Sequence, residues 1–107
     1  MSDYDLTDEA AEDIREIIRY TLRQWGRPQV ARYRQALNHC LDGLASGDVH
    51  GKVLLPTLPD VRGFRCWHHF IFYLESNNPR PLVIAVLHER RDLVAGLMER
   101  FPTDGPS

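Results

Sequence analysis

The apolar positions in the first half of the chain repeat with a helical period and predict two helices. The first helix follows Thr7, whose hydroxyl can cap a helix start, and charged residues fill its other face. Its apolar stripe consists of Ala10, Ala11, Ile14, Ile17, Ile18, Leu22 and Trp25. The stripe of the second helix consists of Val30, Tyr33, Leu37, Cys40, Leu41 and Leu44, and it stops near Gly47.

The two predicted helices are separated by a short turn that carries glycine and proline. Gly26 suits a left-handed residue at the end of the first helix, and Pro28 suits the first position of the second. A turn of about two residues makes the helices an antiparallel hairpin. Both stripes then need a further layer to cover them.

The rest of the chain predicts strands, which would supply that layer. Residues 4–6 alternate as a short strand, and residues 63–66 and 69–75 are rich in aromatic and β-branched side chains. Residues 82–88 form an almost continuous apolar run, as in a strand buried on both faces. We expect an ordered loop over residues 48–61, which contain Gly51, Pro56 and Pro59.

Two turns and the C-terminus complete this prediction. The predicted hairpin at Trp67-His68 lacks the usual Gly or Asn, whereas residues 77–81 are a strong turn signal. A short C-terminal helix over residues 92–101 is possible, with Leu93 and Leu97 facing inward. The predicted fold class is therefore α+β: an N-terminal strand and an antiparallel helical hairpin, packed on a small, mostly antiparallel sheet in the order β-α-α-β-β-β.

Length and composition fit one ordinary globular domain. The chain has 107 residues, 43% hydrophobic and 26% charged, and we expect a domain at 1–101 with a flexible tail at 102–107. No apolar run approaches the length of a membrane span, and the acidic start does not resemble a signal peptide. We therefore expect a cytoplasmic protein whose two cysteines, Cys40 and Cys66, stay reduced.

Charge is distributed unevenly along the chain. Residues 3–16 hold seven acidic residues and one arginine, which suits a helix N-terminus, while the remainder has a local balance of +4. The net charge of −2 and the pI near 6.2 argue against a dedicated nucleic-acid-binding protein.

Short motifs from Tyr4 to about Leu97 match one family in order. They are Tyr4-Asp5-Leu6-Thr7 with Ala10 and Asp13-Ile14, Tyr20-Thr21, Gln24-Trp25-Gly26, Gln29 with Ala31 and Tyr33, Arg62-Gly63-Phe64, His69-Phe70-Ile71-Phe72-Tyr73, Val86-Leu87-His88 and Arg91-Asp92. This ordered set resembles the ParE branch of the RelE/ParE toxin superfamily. The chain departs from the family pattern at Trp67-His68, where the family usually carries a glycine, and in its tail past Leu97.

The resemblance implies a toxin that is neutralised by a ParD-like antitoxin encoded in the same operon. The C-terminal segment of such an antitoxin wraps the toxin, and its N-terminal part binds DNA. The chain would then contact operator DNA only indirectly, through the antitoxin. ParE-like toxins typically inhibit DNA gyrase, whereas RelE-like toxins share the fold and cleave mRNA on the ribosome.

Ribonuclease chemistry needs a base, an acid and cations around a phosphate. Arg62, Arg65, Arg90 and Arg91 could contact phosphate, and His88 could transfer a proton. However, Lys52 is the only lysine, and His88 ends an apolar strand, where we expect it to hydrogen-bond the following turn. We therefore expect no enzymatic activity, with a RelE-like mRNA interferase as the alternative.

Metal and thiol chemistry are not favoured by the spacing. His68 and His69 point to opposite faces of a strand and would not converge with Cys66 on a metal, so no metal site or cofactor is predicted. Cys40 lies on the apolar stripe of the second helix, where a thiol is inert.

Protein binding fits the sequence better. Trp67 is either an exposed interface anchor or folds back on the sheet, Arg65 is expected to face outward beside it, and Trp25 is expected to pack in the core. The residues predicted to bind antitoxin or target are Arg62, Arg65, Trp67, His88, Arg90 and Arg91. A third hypothesis is a degenerate toxin that binds antitoxin without poisoning cells.

Overall fold

The computed structural model describes residues 4–75 and 80–101. Within them the chain forms five strands and three helices. In chain order these are β1 (Asp5–Leu6), α1 (Asp8–Trp25), α2 (Arg27–Ser46), β2 (Lys52–Val53), β3 (Val61–Cys66), β4 (His69–Leu74), β5 (Leu82–His88) and α3 (Leu93–Met98). The predicted α+β class and element order are confirmed.

The helical hairpin begins and ends where its residues predict, and the turn between the helices differs in detail. The Thr7 side chain accepts a hydrogen bond of 3.1 Å from the backbone N–H of Ala10 at the start of α1. Gly26 has a positive φ of +83° between the two helices, but its ψ of −178° is not that of the predicted left-handed helical residue, and Pro28 is the second residue of α2 rather than the first. Gly47 ends α2 in the left-handed conformation, which glycine adopts without a steric penalty.

The five strands form one sheet in the order β1-β5-β4-β3-β2. β1 runs parallel to β5, and the other pairs are antiparallel, so the predicted mostly antiparallel sheet is confirmed. The predicted loop over residues 48–61 was wrong in one respect, because it contains the edge strand β2 and the first residue of β3. Both residues of β2 are exposed, so this strand lacks the apolar alternation that reveals a half-buried one.

Both faces of the sheet are covered. The hairpin packs on one face over Ile71 and Tyr73, and α3 with the loop around Leu55 packs on the other over Phe72. A bulge in β5 leaves Ile84 without a partner in β4, so Val83 and Val86 both face the hairpin although they are three residues apart. Burial on two faces explains the continuous apolar run of β5.

The expectation of two reduced cysteines is contradicted. Cys40 on α2 and Cys66 at the end of β3 form a disulfide, with their Cα atoms 6.3 Å apart. The helical stripe correctly placed Cys40 toward the sheet, but only the packing of α2 on β3 brings it beside Cys66.

Two predictions fall on residues that are outside the description. The tail at 102–107 and most of the turn at 77–81 belong to them. Among the helices of residues 4–75 and 80–101, none has the length and apolar character needed to cross a membrane.

Candidate protein-binding site

A groove of about 640 Å³ opens between the tip of the helical hairpin and one end of the sheet. One wall comes from the second half of α1 and the start of α2, and the other from the β3–β4 turn and the end of β5. We call it the hairpin-tip groove and define it by Tyr20, Trp25, Tyr33, Trp67, His69 and His88.

The groove exists because the hairpin is longer than the sheet beneath it. An 18-residue helix spans about 27 Å, whereas a six-residue strand spans about 20 Å. The last turns of α1 therefore extend past the core, and Trp25 is 70% exposed and Tyr20 56%. The prediction that Trp25 packs in the core was wrong, since its position on the apolar stripe does not show where the sheet ends.

Trp67 forms the opposite lip of the groove from an unusual backbone position. It is the first residue of the two-residue β3–β4 turn, its φ is +57°, and its side chain is 43% exposed. A bulky residue rarely adopts positive φ, and most hairpins place Gly or Asn there. The conformation presents a large aromatic surface at the mouth of the groove.

The β3–β4 turn is held by polar contacts to Glu89, the residue that follows β5. Arg65 donates from Nε to the carbonyl of Trp67 at 2.8 Å and forms an ion pair with Glu89. The backbone N–H of Glu89 donates to the carbonyl of His68 at 2.8 Å. A hydrogen bond from His68, aided by Arg65, lowers the pKa of the Glu89 carboxyl, so Glu89 is ionised at neutral pH.

Two histidines and a tyrosine lie together on the floor of the groove. The ring centroids of His69 and Tyr33 are 5.4 Å apart, and those of His69 and His88 are 5.1 Å apart. Burial, reinforced by neighbouring His88 and His68 and opposed by Glu89, lowers the pKa of His69 to about 4. His69 is therefore neutral at physiological pH.

Tyr33 is almost fully buried, and its hydroxyl is unlike the other buried hydroxyl of the core. Burial and the carboxylate of Asp13 raise the pKa of Tyr33, so the hydroxyl stays protonated. Within the described residues, neither this hydroxyl nor Nδ1 of His69 has a hydrogen-bond partner. In contrast, the hydroxyl of Tyr73 accepts a hydrogen bond from the Gly51 N–H at 2.8 Å.

Asp13 lies at the inner end of the groove and joins three elements. From α1, it accepts 3.0 Å and 2.6 Å hydrogen bonds from the Val86 N–H of β5 and from Nη2 of Arg100, just after α3. The carboxylate and the guanidinium are both largely buried. The residues past Leu97 therefore contribute a buried ion pair.

The structure brings together four of the six residues predicted to bind a partner. Trp67, His88, Arg90 and Arg91 all line the groove. Nδ1 of His88 accepts from the Arg90 N–H at 3.1 Å, which confirms that His88 hydrogen-bonds the turn after its strand.

The two remaining predicted residues lie outside the groove. Arg65 contacts the Trp67 turn through the backbone carbonyl of Trp67 but does not line the groove. Arg62 is at the opposite end of β3, where it donates to the carbonyl of Gly51 at 3.3 Å and pairs with Glu75 at 3.3 Å. The arginines proposed for phosphate contact therefore do not converge as a single group.

Sequence reasoning missed several residues that line the groove. Tyr20, Gln29, Tyr33 and His69 were assigned to helix and strand patterns without a site. One available signal was the density of aromatic residues around the helix–helix turn. Tyr20, Trp25 and Tyr33 are three large aromatic side chains within 14 positions, more than the packing of a short turn requires. In the part of the chain that the structure describes, no group of three His, Cys, Asp or Glu residues could hold a metal ion.

Comparison with known proteins identifies the family. The family model described as "ParE toxin of type II toxin-antitoxin system, parDE" matches residues 4–93. Toxin ParE of Escherichia coli is 44% identical over 101 residues, covering 94% of this chain and 98% of that protein. Toxin ParE1 of Mycobacterium tuberculosis is 29% identical over 92 residues, covering 86% and 94%.

A solved structure supports the same fold. The chromosomal ParDE TA system from P. aeruginosa contains a chain that superposes with a TM-score of 0.63 at 15% identity, over 82% of this chain and 98% of that one. The fold is thus one that small α+β proteins of toxin–antitoxin systems share, and the family match defines the class as toxins. The chain is a member of the ParE toxin family of type II toxin–antitoxin systems.

Proposed function

We propose that this chain binds a ParD-like antitoxin through the hairpin-tip groove and inhibits DNA gyrase by binding rather than by catalysis. The observation that carries the proposal is the groove itself, whose two lips expose Trp25 and Trp67. Exposed tryptophans around a concave apolar surface are typical binding anchors, because a partner that covers them buries a large apolar surface area. Operator DNA would be contacted only through the antitoxin.

Membership of the ParE family supports an antitoxin as the partner. The related solved structure is of a chromosomal ParDE system, and the family itself is described by the parDE pair. An antitoxin segment with apolar side chains at helical spacing would fit between the lips of the groove. The polar groups around it would then form a rim.

Variants of the two lips test this proposal. Trp25→Ala and Trp67→Gly should each weaken antitoxin binding at least tenfold by calorimetry, because each removes an aromatic anchor. Trp67→Gly should keep stability within about 1 kcal/mol, because glycine relieves the positive φ while the lost packing opposes that gain. Arg62→Ala is the matched control, since Arg62 lies away from the groove. If Arg62→Ala weakens binding as much as the tryptophan variants, the groove is not the antitoxin site.

A second set of variants separates antitoxin binding from target binding. We expect Arg65→Ala and Arg91→Ala, like Arg62→Ala, to leave antitoxin binding largely intact, because apolar anchors should dominate it. A loss above tenfold in all three would contradict this division. Their effect on growth inhibition then shows whether these arginines belong to a toxic surface.

Inducible expression without antitoxin tests the target. Pulse labelling should show DNA synthesis failing before protein synthesis, and the purified chain should inhibit supercoiling by gyrase in vitro. The mRNA interferase alternative is favoured by the neighbouring His69, His88 and Arg91 in the groove. It predicts that translation stops first and that mRNA is cut at codons. Normal growth at verified expression would favour an antitoxin-binding module that is no longer toxic.

A further inference from the structure

The disulfide joins the body of the protein to the lip of the groove. Cys40 lies in the middle of α2, and Cys66 is the last residue of β3, directly before Trp67. The bond spans 26 positions of sequence and involves the chain's only two cysteines. Oxidation therefore leaves no other thiol in the protein.

We propose that Cys40–Cys66 is a reversible thiol–disulfide exchange site that reacts with low-molecular-weight disulfides and dithiols and controls how firmly the Trp67 turn is held. This site is separate from the groove's proposed partners and does not depend on which partner binds. Exchange gives the protein two states, an oxidised state in which the disulfide links α2 to β3 and a reduced state without this link.

The exchange is a balanced two-electron reaction. In the oxidising direction, the thiolate of Cys40 attacks one sulfur of a low-molecular-weight disulfide, and the S–S bond breaks to release one small thiolate. The thiolate of Cys66 then attacks the Cys40 sulfur of the mixed disulfide and releases the second. The two protons from the cysteines end on the two small thiols, so the protein is oxidised by two electrons and the reagent reduced by two.

Burial assigns the order of the two cysteines. Cys66 is only 3% exposed, whereas Cys40 is partly exposed on α2. The external reagent therefore meets Cys40 first, and Cys66 resolves the mixed disulfide. Sγ of Cys66 also lies 3.6 Å from the carbonyl oxygen of Ala36, which would accept a weak hydrogen bond from the thiol in the reduced state.

The position of the bond explains how it would act on the groove. Trp67 holds a positive φ that is costly for a bulky residue, so its turn needs restraint from both sides. Arg65, paired with Glu89, holds the carbonyl of Trp67, and the disulfide restrains the chain immediately before the turn. Reduction removes the covalent restraint and leaves the polar contacts and the pairing of Cys66 with His69 across the two strands.

Thiol counting tests whether the exchange occurs in the folded protein. The native chain is treated with a reductant or with oxidised glutathione, then alkylated and weighed by mass spectrometry. We expect two alkyl groups after reduction and none after oxidation, with a loss of about two mass units for the two hydrogens. Two alkylated cysteines after the oxidative treatment would overturn the proposal.

Thermal unfolding measures the effect on the fold. A cross-link over a loop of this length should make Tm of the oxidised protein roughly 10 °C or more higher than that of the reduced protein. Cys40→Ser with Cys66→Ser is the matched control, whose Tm should not respond to reductant. Equal Tm values for oxidised and reduced wild type would contradict the proposal without relying on any variant.

Fluorescence then tests the link to the turn. The chain has two tryptophans, so Trp25→Phe leaves Trp67 as the only one. We expect reduction to lower the fluorescence anisotropy of Trp67 and shift its emission to longer wavelength. If Tm changes but the Trp67 signals do not, the exchange acts on the core alone and its control of the turn is refuted.

Discussion

At the scale of single residues, two buried tyrosines show that the same side chain can stabilise a fold or weaken it. Tyr33 on α2 and Tyr73 on β4 both lie in the core between the hairpin and the sheet and are both almost inaccessible to solvent. Tyr73 has a hydrogen-bond partner for its hydroxyl, and Tyr33 has none among the described residues. A buried polar group without a hydrogen-bond partner destabilises the folded state. The Tyr73 hydroxyl should therefore raise the free energy of unfolding, and the Tyr33 hydroxyl should lower it.

Removing each hydroxyl gives a matched pair of variants. Tyr33→Phe should leave the free energy of unfolding unchanged or raise it by about 1 kcal/mol, because no bond is lost. Tyr73→Phe should lower it by about 1–3 kcal/mol, because the Gly51 N–H loses its acceptor. Urea unfolding of both variants checks this difference. A larger loss for Tyr33→Phe than for Tyr73→Phe would mean that the Tyr33 hydroxyl has a partner.

His69 gives the fold a pH dependence of defined sign. Its ordinary pKa of 6.5 is lowered to about 4 in the folded protein, so the unfolded chain binds the proton more tightly. The contribution of neutral His69 to the free energy of unfolding is fully present above pH 6.5 and is lost as the pH falls toward 4. The charged or titratable groups around this ring are His88, His68, Glu89 and Tyr33.

We expect His69 to make the folded chain about 1 kcal/mol less stable at pH 5 than at pH 7, after a discount for partial solvent screening. The measurement is urea unfolding at both pH values for wild type and His69→Gln. The pH difference should shrink in His69→Gln and persist in the control His39→Gln, since His39 is exposed on α2. An unchanged pH difference in His69→Gln would assign the effect to other groups.

At the scale of elements, the packing of β3 on β4 depends on one residue without a side chain. Gly63 pairs with Phe72, and the ring of Phe72 covers the glycine. A Cβ at position 63 would lie 2.7 Å from two ring carbons of Phe72 and 2.9 Å from Leu54. The glycine is therefore required by the close approach of an aromatic ring, not by its backbone angles.

Gly63→Ala should destabilise the protein by about 1–3 kcal/mol through this overpacking. Adding Phe72→Leu to the same chain should recover part of the loss, because the smaller side chain makes room. The control is Gly47→Ala, where no atom lies within 4 Å of the new Cβ and only the positive φ is costly. Phe72→Leu should not rescue that variant, and thermal or urea unfolding measures all of them.

The elements themselves show where pattern reasoning worked. The stripe of α2, the stripe of α1 as far as Ile18 and the apolar run of β5 were predicted correctly, because each buries a face whose period the backbone dictates. The end of the α1 stripe, Leu22 and Trp25, is exposed. Edge strand β2 was missed, because its two residues are both exposed and show no alternation of apolar and polar positions. The Trp67-His68 turn was located although it lacks the residues that usually mark one, because the strands on both sides have clear β character.

At the scale of the whole molecule, the last described residues are tied to the first helix. Arg100 follows α3 on one face of the sheet, and Asp13 belongs to α1 on the other. Their ion pair joins the layers at the end of the sheet where the groove opens. Removing one member of a buried pair leaves the other charge without compensation.

Arg100→Met should therefore lower the free energy of unfolding by about 3 kcal/mol or more. Arg15→Met is the matched control, because Arg15 forms an exposed pair with Glu12 on α1 and should cost less than about 1 kcal/mol. Urea unfolding compares the two. Similar small losses would show that the Asp13–Arg100 pair behaves as a surface pair.

The sequence by itself determined the helices, four of the five strands to within two residues, the α+β class and the resemblance to ParE toxins. These follow from local periodicity, capping residues and ordered motifs, all of which depend on residues close together in sequence. The tertiary structure decided the Cys40–Cys66 bond, the exposure of Trp25 and the separation of Arg62 from the groove. Each depends on how two elements are placed relative to one another, and that placement is set by packing between residues far apart in sequence.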